Sequence, residues 1–343
     1  MFQRRRLAHG MTRCLWKHYA KRVAMSALVV CSLWVVIQES VTNQKFMKPG
    51  VKYVTLASTK CWGVGNQMFG LAAMIGVNKA NNYTWQYCLP CPFGIRYIFQ
   101  LDEIVCCENR NLDEPSIFAE DHFAEYKPSY HNLWRHSDLS LGGFFQSWKY
   151  FHSAISDIKK YLKFQDHIIA RARKTLTNKI EDKFQCYGCS ANITLIALHV
   201  RRGDYLDKDS QGIGYKVATL DYIQHAIDHM LTVVKPVQHA LMVSSDEIDW
   251  CTEHLGHRKD VIFLSPKSDP SHKAIHPIEI GQDLAMLTMC NHSIITVGTF
   301  GWWAAYLTGG RTIYYKDSPA YLSYLWNRTN HQDYYPPTWI GMT

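Results

Sequence analysis

The chain has 343 residues, 47% of them hydrophobic and 13% aromatic, which is enough apolar material for two compact lobes and too much for a disordered protein. Its formal net charge of +8 does not point to a nucleic-acid partner. Seven of the cations, Arg4, Arg5, Arg6, Arg13, Lys17, Lys21 and Arg22, lie in the first 22 residues, which contain no acid, so the balance from Val23 onward is only about +1.

The basic tail, residues 1–22, runs into Val23 to Ile37, a stretch of 15 uncharged residues followed by Gln38 and Glu39. Cations on one side only predict a cytosolic N-terminus and a translocated body. The stretch is shorter than the roughly 20 residues of an ordinary span, which suits a thin membrane early in the secretory route. Residues 23–38 are therefore expected to form a single transmembrane signal anchor, with a cleaved signal peptide as the alternative. Residues 39–51, with Pro49-Gly50, read as a short stem.

In a lumenal body, Asn82, Asn192, Asn291 and Asn327 each head an Asn-x-Ser/Thr acceptor pattern. Of the 11 cysteines, Cys14 and Cys31 fall in the tail and the apolar stretch. The pairs Cys88/Cys91 and Cys186/Cys189 resemble the halves of a zinc ribbon, but an oxidising compartment favours disulfides, whose pairing the spacing leaves open.

The first lobe, residues 52–190, opens with a predicted strand at Tyr53 to Ala57 and a Gly-rich turn from Trp62 to Phe69 that contains Gly65, Asn66 and Gln67. An irregular, Cys-rich stretch follows. Ile155, Ile158, Leu162 and Ile169 then predict one long helix over about 153–177. In the second lobe, residues 191–343, five short apolar runs near 193–200, 240–245, 260–265, 293–298 and 311–315 alternate with helical patterns, the signature of a parallel sheet. Leu220, Ile223, Ala226, Ile227, Met230, Leu231 and Val234 form the apolar stripe of the first crossover helix, which Lys235-Pro236 ends.

The first of those runs ends in His199-Val200-Arg201-Arg202-Gly203-Asp204-Tyr205. Two forked guanidiniums with a glycine and a carboxylate at a strand end suit a diphosphate, although a surface salt bridge would look the same. Ligands of an open parallel sheet bind beyond the carboxyl ends of its strands. Arg201 and Asp204, then Ser244, Ser245 and Asp246, then Gly298 and Thr299 are all expected there. Thr299 would open a helix whose dipole favours phosphate. Simple helix capping would account equally for Asp246 and Thr299.

This ordered set resembles glycosyltransferase family 11, the α(1→2)-fucosyltransferases. The resemblance covers residues 53 to 340 and rests on Gly65-Asn66-Gln67-Met68, the arginine heptad, Ser244-Ser245-Asp246 with Trp250-Cys251, the segment Gly143 to Phe151, and the block Cys290 to Tyr314. It departs from the family's usual pattern at Trp62-Gly63-Val64 and in its cysteines from 88 to 107, both on the acceptor side. It implies an α/β, GT-B-like two-lobed glycosyltransferase with a Rossmann-like C-terminal lobe, held in the Golgi membrane. It also implies inverting transfer of fucose from GDP-β-L-fucose to the 2-hydroxyl of a terminal β-galactoside, with neither a cofactor nor an obligatory metal.

In that resemblance Arg201 contacts the diphosphate, His199 and Asp246 the nucleoside, and Arg202 either the donor or, through Asp204, the loop. Ser245, Thr299, Gly65, Asn66 and Gln67 complete the donor-binding set. Asp204 is the candidate base, with Asp207, Asp209 or a first-lobe residue also open. Three other readings remain: a metal held by Asp207-Lys208-Asp209, a sugar-binding protein without turnover, and a lumenal redox protein using a Cys-x-x-Cys pair.

Overall fold

The computed structural model describes residues 47–48, 50–57, 63–90, 93–107, 115–186, 188, 192–264 and 277–343. The predicted tail, anchor and most of the stem lie outside the described residues, as do Cys91 and Cys189. Among the described residues no helix is long and apolar enough to cross a membrane.

The strand β1 (Tyr53–Leu56) is buried throughout and pairs in parallel with β2 (Gln86–Pro90) and β5 (Leu139–Gly142). With β3 (Val105–Cys107) and β4 (Ser116–Ala119) it makes a five-stranded parallel sheet in the order β3-β2-β1-β5-β4. Cys88 is disulfide-bonded to Cys107, tying β2 to β3, and Cys186 is disulfide-bonded as well. Only β1 was legible here. The other strands are three to five residues long and include Gln86, Ser116 and Ser140, so no apolar run marks them.

The predicted Gly-rich turn is instead the start of a helix, α1 (Val64–Ala80), with Gly63 in extended conformation before it. Thirteen of its residues are buried, because it lies between neighbours on all sides and needs no polar face. Phe69, for example, packs 4.6 Å from Trp302 and 5.1 Å from Trp303. The single helix expected over 153–177 is two, α2 (Ile155–Tyr161) and α3 (Asp166–Phe184). The chain breaks between them where Phe164 bridges Phe99 and the Gln165 amide donates to the Phe99 carbonyl at 3.0 Å.

The second sheet is parallel throughout. Its strands are β6 (Thr194–Val200), β7 (His239–Ser245), β8 (Val261–Phe263), β9 (His292–Ile295), β10 (Thr312–Tyr315) and β11 (Ile340–Met342), in the order β11-β10-β9-β6-β7-β8. The five predicted strands are present, and the short edge strand β11 is added. Between β6 and β7 run α4 (Lys208–Ile213) and α5 (Leu220–Val234). The Thr219 hydroxyl caps α5 by accepting from Tyr222 N at 3.1 Å, and Lys235 ends it in the left-handed region. Its buried stripe is Tyr222, Ile223, Ala226, Ile227 and Met230. Truncating such a residue as Ile223 to Ala would cost about 2–5 kcal/mol. Among the described residues the remaining α-helices are α6 (Ile248–Leu255), α7 (Pro277–Thr288), α8 (Thr299–Thr308) and α9 (His331–Tyr334).

One apolar core is continuous from Val54 of β1 through Trp302 and Trp303 of α8 to Tyr335, so it belongs to both sheets. A second lies against the other face of the second sheet alone. The C-terminal segment returns to the first sheet's side. Asp333, only 4% exposed, accepts from the Tyr126 backbone N–H at 2.8 Å and pairs with Lys149 at 2.5 Å. The Trp148 indole donates to the Gln332 carbonyl at 3.2 Å.

Candidate functional site

The parallel register of β6, β7 and β9 carries their carboxyl ends to one edge, and Arg201 leaves β6 there. Its backbone N–H donates to the Thr296 hydroxyl at 2.9 Å. Nη1 donates to Asp246 Oδ2 at 2.7 Å and Nη2 to Asp204 Oδ1 at 2.5 Å, while the guanidinium lies 5.3 Å from the Tyr205 ring centre. Two carboxylates and an aromatic face thus fix one fork, and its side chain remains 33% exposed. Asp246 also accepts from the Arg202 backbone N–H at 2.9 Å. The turn at Gly203 makes this possible, since a Cβ there would stand 2.2 Å from the Asp246 carboxylate.

Arg202 takes a different course from its neighbour. Asp204 bonds to Arg201 rather than buttressing the loop through Arg202, whose guanidinium stacks 3.9 Å above the Trp250 ring. A planar guanidinium suits that contact. His199 lies beneath the edge, 6% exposed, between Gly301 and the Phe300 ring at 5.2 Å. Burial, with Arg201 nearby, pushes its pKa down to about 3, so the imidazole is neutral. Its buried Nδ1 has no hydrogen-bond partner among the described residues.

Thr299 opens α8 at the end of the neighbouring strand, with Gly298 at the helix boundary. Gly65, in the first turn of α1, lies directly on it. A Cβ at Gly65 would come 2.5 Å from both the carbonyl carbon and the hydroxyl of Thr299. The amino ends of two helices, one from each sheet's side, therefore touch, and their outward N–H groups and dipoles favour an anion. Capping does not account for Asp246 or Thr299: Glu247 precedes α6 and Gly298 precedes α8, neither with a side-chain cap bond.

The other predicted residues divide. Asn66 accepts from the Gln146 amide at 2.9 Å and stays near the crevice. Gln67 turns into the first lobe, where its Oε1 accepts from Ile95 N at 3.0 Å. The Ser245 hydroxyl accepts from Glu247 N at 3.0 Å. Asp207 and Asp209 are exposed at the start of α4.

Three residues were missed. Asp283 accepts from the Ser244 hydroxyl at 3.1 Å, which brings a carboxylate from α7 to the end of β7. A lone acid against the buried run Leu284 to Leu287 was its sequence signal. Gln146, in the segment Gly143 to Phe151, donates its amide to Asn66, and no charge or spacing in the sequence singles it out. Glu120, just after β4, accepts from Phe145 N at 2.7 Å. Burial raises its pKa to about 8, so a carboxyl at the end of the first sheet keeps its proton near neutral pH.

A family model described as "Glycosyl transferase family 11" matches residues 27–343. Galactoside alpha-(1,2)-fucosyltransferase 2 of Oryctolagus cuniculus is 32% identical over 211 residues, 60% of this chain and 54% of that protein. Galactoside alpha-(1,2)-fucosyltransferase 1 of Saimiri boliviensis boliviensis is 32% identical over 205 residues, 60% of this chain and 52% of that protein. The chain spans about half the length of the curated relatives it matches. Among solved structures, NodZ alpha-1,6-fucosyltransferase soaked with GDP-fucose superposes with a TM-score of 0.52 at 14% identity, over 79% of this chain and 97% of that one. At that identity the likeness is one of fold: α/β with parallel sheets.

Proposed function

Since the chain belongs to glycosyl transferase family 11, we propose that it transfers L-fucose from GDP-β-L-fucose to the 2-hydroxyl of a terminal β-galactoside with inversion. The observation that carries this reading is the fork of Arg201, held by Asp204 and Asp246 beside the paired amino ends of α1 and α8. In an in-line displacement the acceptor oxygen bonds to the fucose anomeric carbon as the bond from that carbon to the diphosphate breaks. The acceptor proton passes to a base, and GDP leaves with its charge facing Arg201 and the helix ends. Asp204, half-exposed at the same edge, is the base in this reading, while Asp246, Ser245 and the buried neutral His199 serve the nucleoside side.

The acceptor and linkage are supported by the names of the curated relatives. No cofactor enters, and the same reading places the protein in the Golgi membrane as a single-pass type II chain with its body lumenal. Incubation of the purified protein with labelled GDP-fucose and a panel of β-galactosides, followed by linkage analysis, tests it. An α(1→2)-fucosylated galactose is expected. Transfer to another sugar or position would replace the acceptor assignment, and absence of both transfer and donor turnover would overturn the enzyme reading.

A further inference from the structure

Glu120 stands just after β4 and takes no part in the displacement described above. Its backbone N–H continues the β4–β5 pairing by donating to the Gly142 carbonyl at 2.7 Å. The side chain turns back over the segment that leaves β5. There Oε2 accepts from Phe145 N at 2.7 Å, and the Phe144 N–H is a second donor to the same carboxyl. Gly143, at φ +138°, leaves room for it, since a Cβ there would stand 2.5 Å from Oε2. Phe145 is held at φ +51°, a left-handed conformation that is costly for an aromatic residue and persists only where the surroundings impose it. Its buried ring is fixed edge-on by Tyr130 at 5.5 Å and Tyr150 at 5.3 Å.

The next residue is Gln146, whose amide donates to Asn66 Oδ1 in the first turn of α1 at 2.9 Å. A continuous series of contacts thus runs from Glu120 through the turn and Gln146 to Asn66, and Gly65 beside it abuts Thr299 at the amino end of α8. The protonation of the carboxyl matters to this series. Oε1 is buried without a hydrogen-bond partner among the described residues. The titratable groups around the carboxyl are Lys127, itself paired with Asp121, then Glu125, Tyr130 and Tyr150. Burial outweighs the attraction of Lys127 and raises the pKa to about 8. An ionised Glu120 would leave a charged oxygen with neither water nor donor, and opening of the turn relieves that.

We propose that Glu120 is a positioning residue: as a neutral acid it holds the Gly143–Phe145 turn, and through Gln146 and Asn66 it sets the amino end of α1 against which the leaving diphosphate is stabilised. The proposal rests on the transferase reading above. Glu120→Ala should lower kcat about tenfold with both KM values within about twofold, because the helix end acts on charge that develops as the diphosphate departs. Gln146→Ala should do the same, and the double variant should be no worse than either single one, since one series of contacts is cut once. Glu120→Gln keeps a neutral oxygen acceptor. Its kcat should match that of the unaltered protein near neutral pH and hold up above about pH 8, where the unaltered protein's declines. Superimposable pH profiles, additive effects of the two alanine variants, or a loss confined to KM would each overturn the proposal. If Glu120→Ala does not fold, the Glu120→Gln profile decides. Should the unaltered protein transfer no fucose, the transferase reading fails, and hydrogen exchange decides the role of Glu120 in the turn separately. Faster exchange over 143–147 in the unaltered protein than in Glu120→Gln above about pH 8, with equal rates near neutral pH, supports it; equal rates at both refute it.

Discussion

At the end of β6, Arg201, Asp204 and Asp246 are joined by hydrogen bonds of 2.5 and 2.7 Å, and all carry charge. At the strand ends of the first sheet the corresponding groups are amides, Asn66 and Gln146, and a carboxyl, Glu120, that burial keeps protonated near neutral pH. The second-sheet wall holds its charges in fixed geometry before any ligand arrives, which is what stabilises charge that develops on a leaving group. The first-sheet wall supplies neutral donors and acceptors, which suit hydroxyls and do not compete for a diphosphate.

The largest test of this contrast is Arg201→Lys. A point ammonium cannot satisfy two carboxylates and a diphosphate in forked geometry, so turnover at saturating donor should fall roughly a hundred- to a thousandfold. Near-normal turnover would remove Arg201 from the leaving-group role.

Glu120→Gln probes the neutral wall through pH. The folded pKa of Glu120 is raised from the ordinary 4.5 to about 8, so between those values the folded state holds a proton that the unfolded state has released. The contribution is full below about 4.5, declines by up to about 1.4 kcal/mol per pH unit, and is gone above about 8. Denaturant melts should therefore show the Gln variant losing less stability than the unaltered protein between pH 5 and 8. Parallel pH profiles for the two proteins would show that Glu120 ionises freely.

Trp250→Ala removes the face on which Arg202 stacks, and should cost about 0.5–2 kcal/mol in stability or donor affinity while leaving kcat within a few-fold. A collapse of kcat would put Arg202 on the reacting groups rather than on the loop. The smallest effect is expected from chelation. With Arg201 supplying the charge, activity in excess EDTA should change at most a few-fold. Complete loss, restored by Mn²⁺ or Mg²⁺ and mimicked by Asp209→Asn, would transfer that role to an ion.

The second sheet was legible because its strands are long buried runs separated by an amphipathic crossover, and both signals survive in a single sequence. The first sheet was not, since its strands are short, their order β3-β2-β1-β5-β4 is set by tertiary pairing, and α1 is apolar all round and so lacks a stripe. Arg201, Asp204 and Asp246 could be brought to one edge from strand ends alone. Which carboxylate each guanidinium would choose could not, because that depends on the turn at Gly203 and on Trp250 standing above Arg202. Asp283, Gln146 and Glu120 were hidden for a related reason: each is placed by a bond to a residue far away in the chain.

The return of the C-terminal segment has a consequence for anyone shortening or extending the protein. The ten residues that follow the buried Asp333, which engages Lys149 and Tyr126, include the edge strand β11. A stop codon a little before Asn330 would strand a lysine and a backbone N–H at a junction shared by both sheets. Such a truncate should be less stable to heat and denaturant even though Arg201 and its two carboxylates are intact, whereas a flexible tag fused after Thr343, beyond β11, should leave stability unchanged.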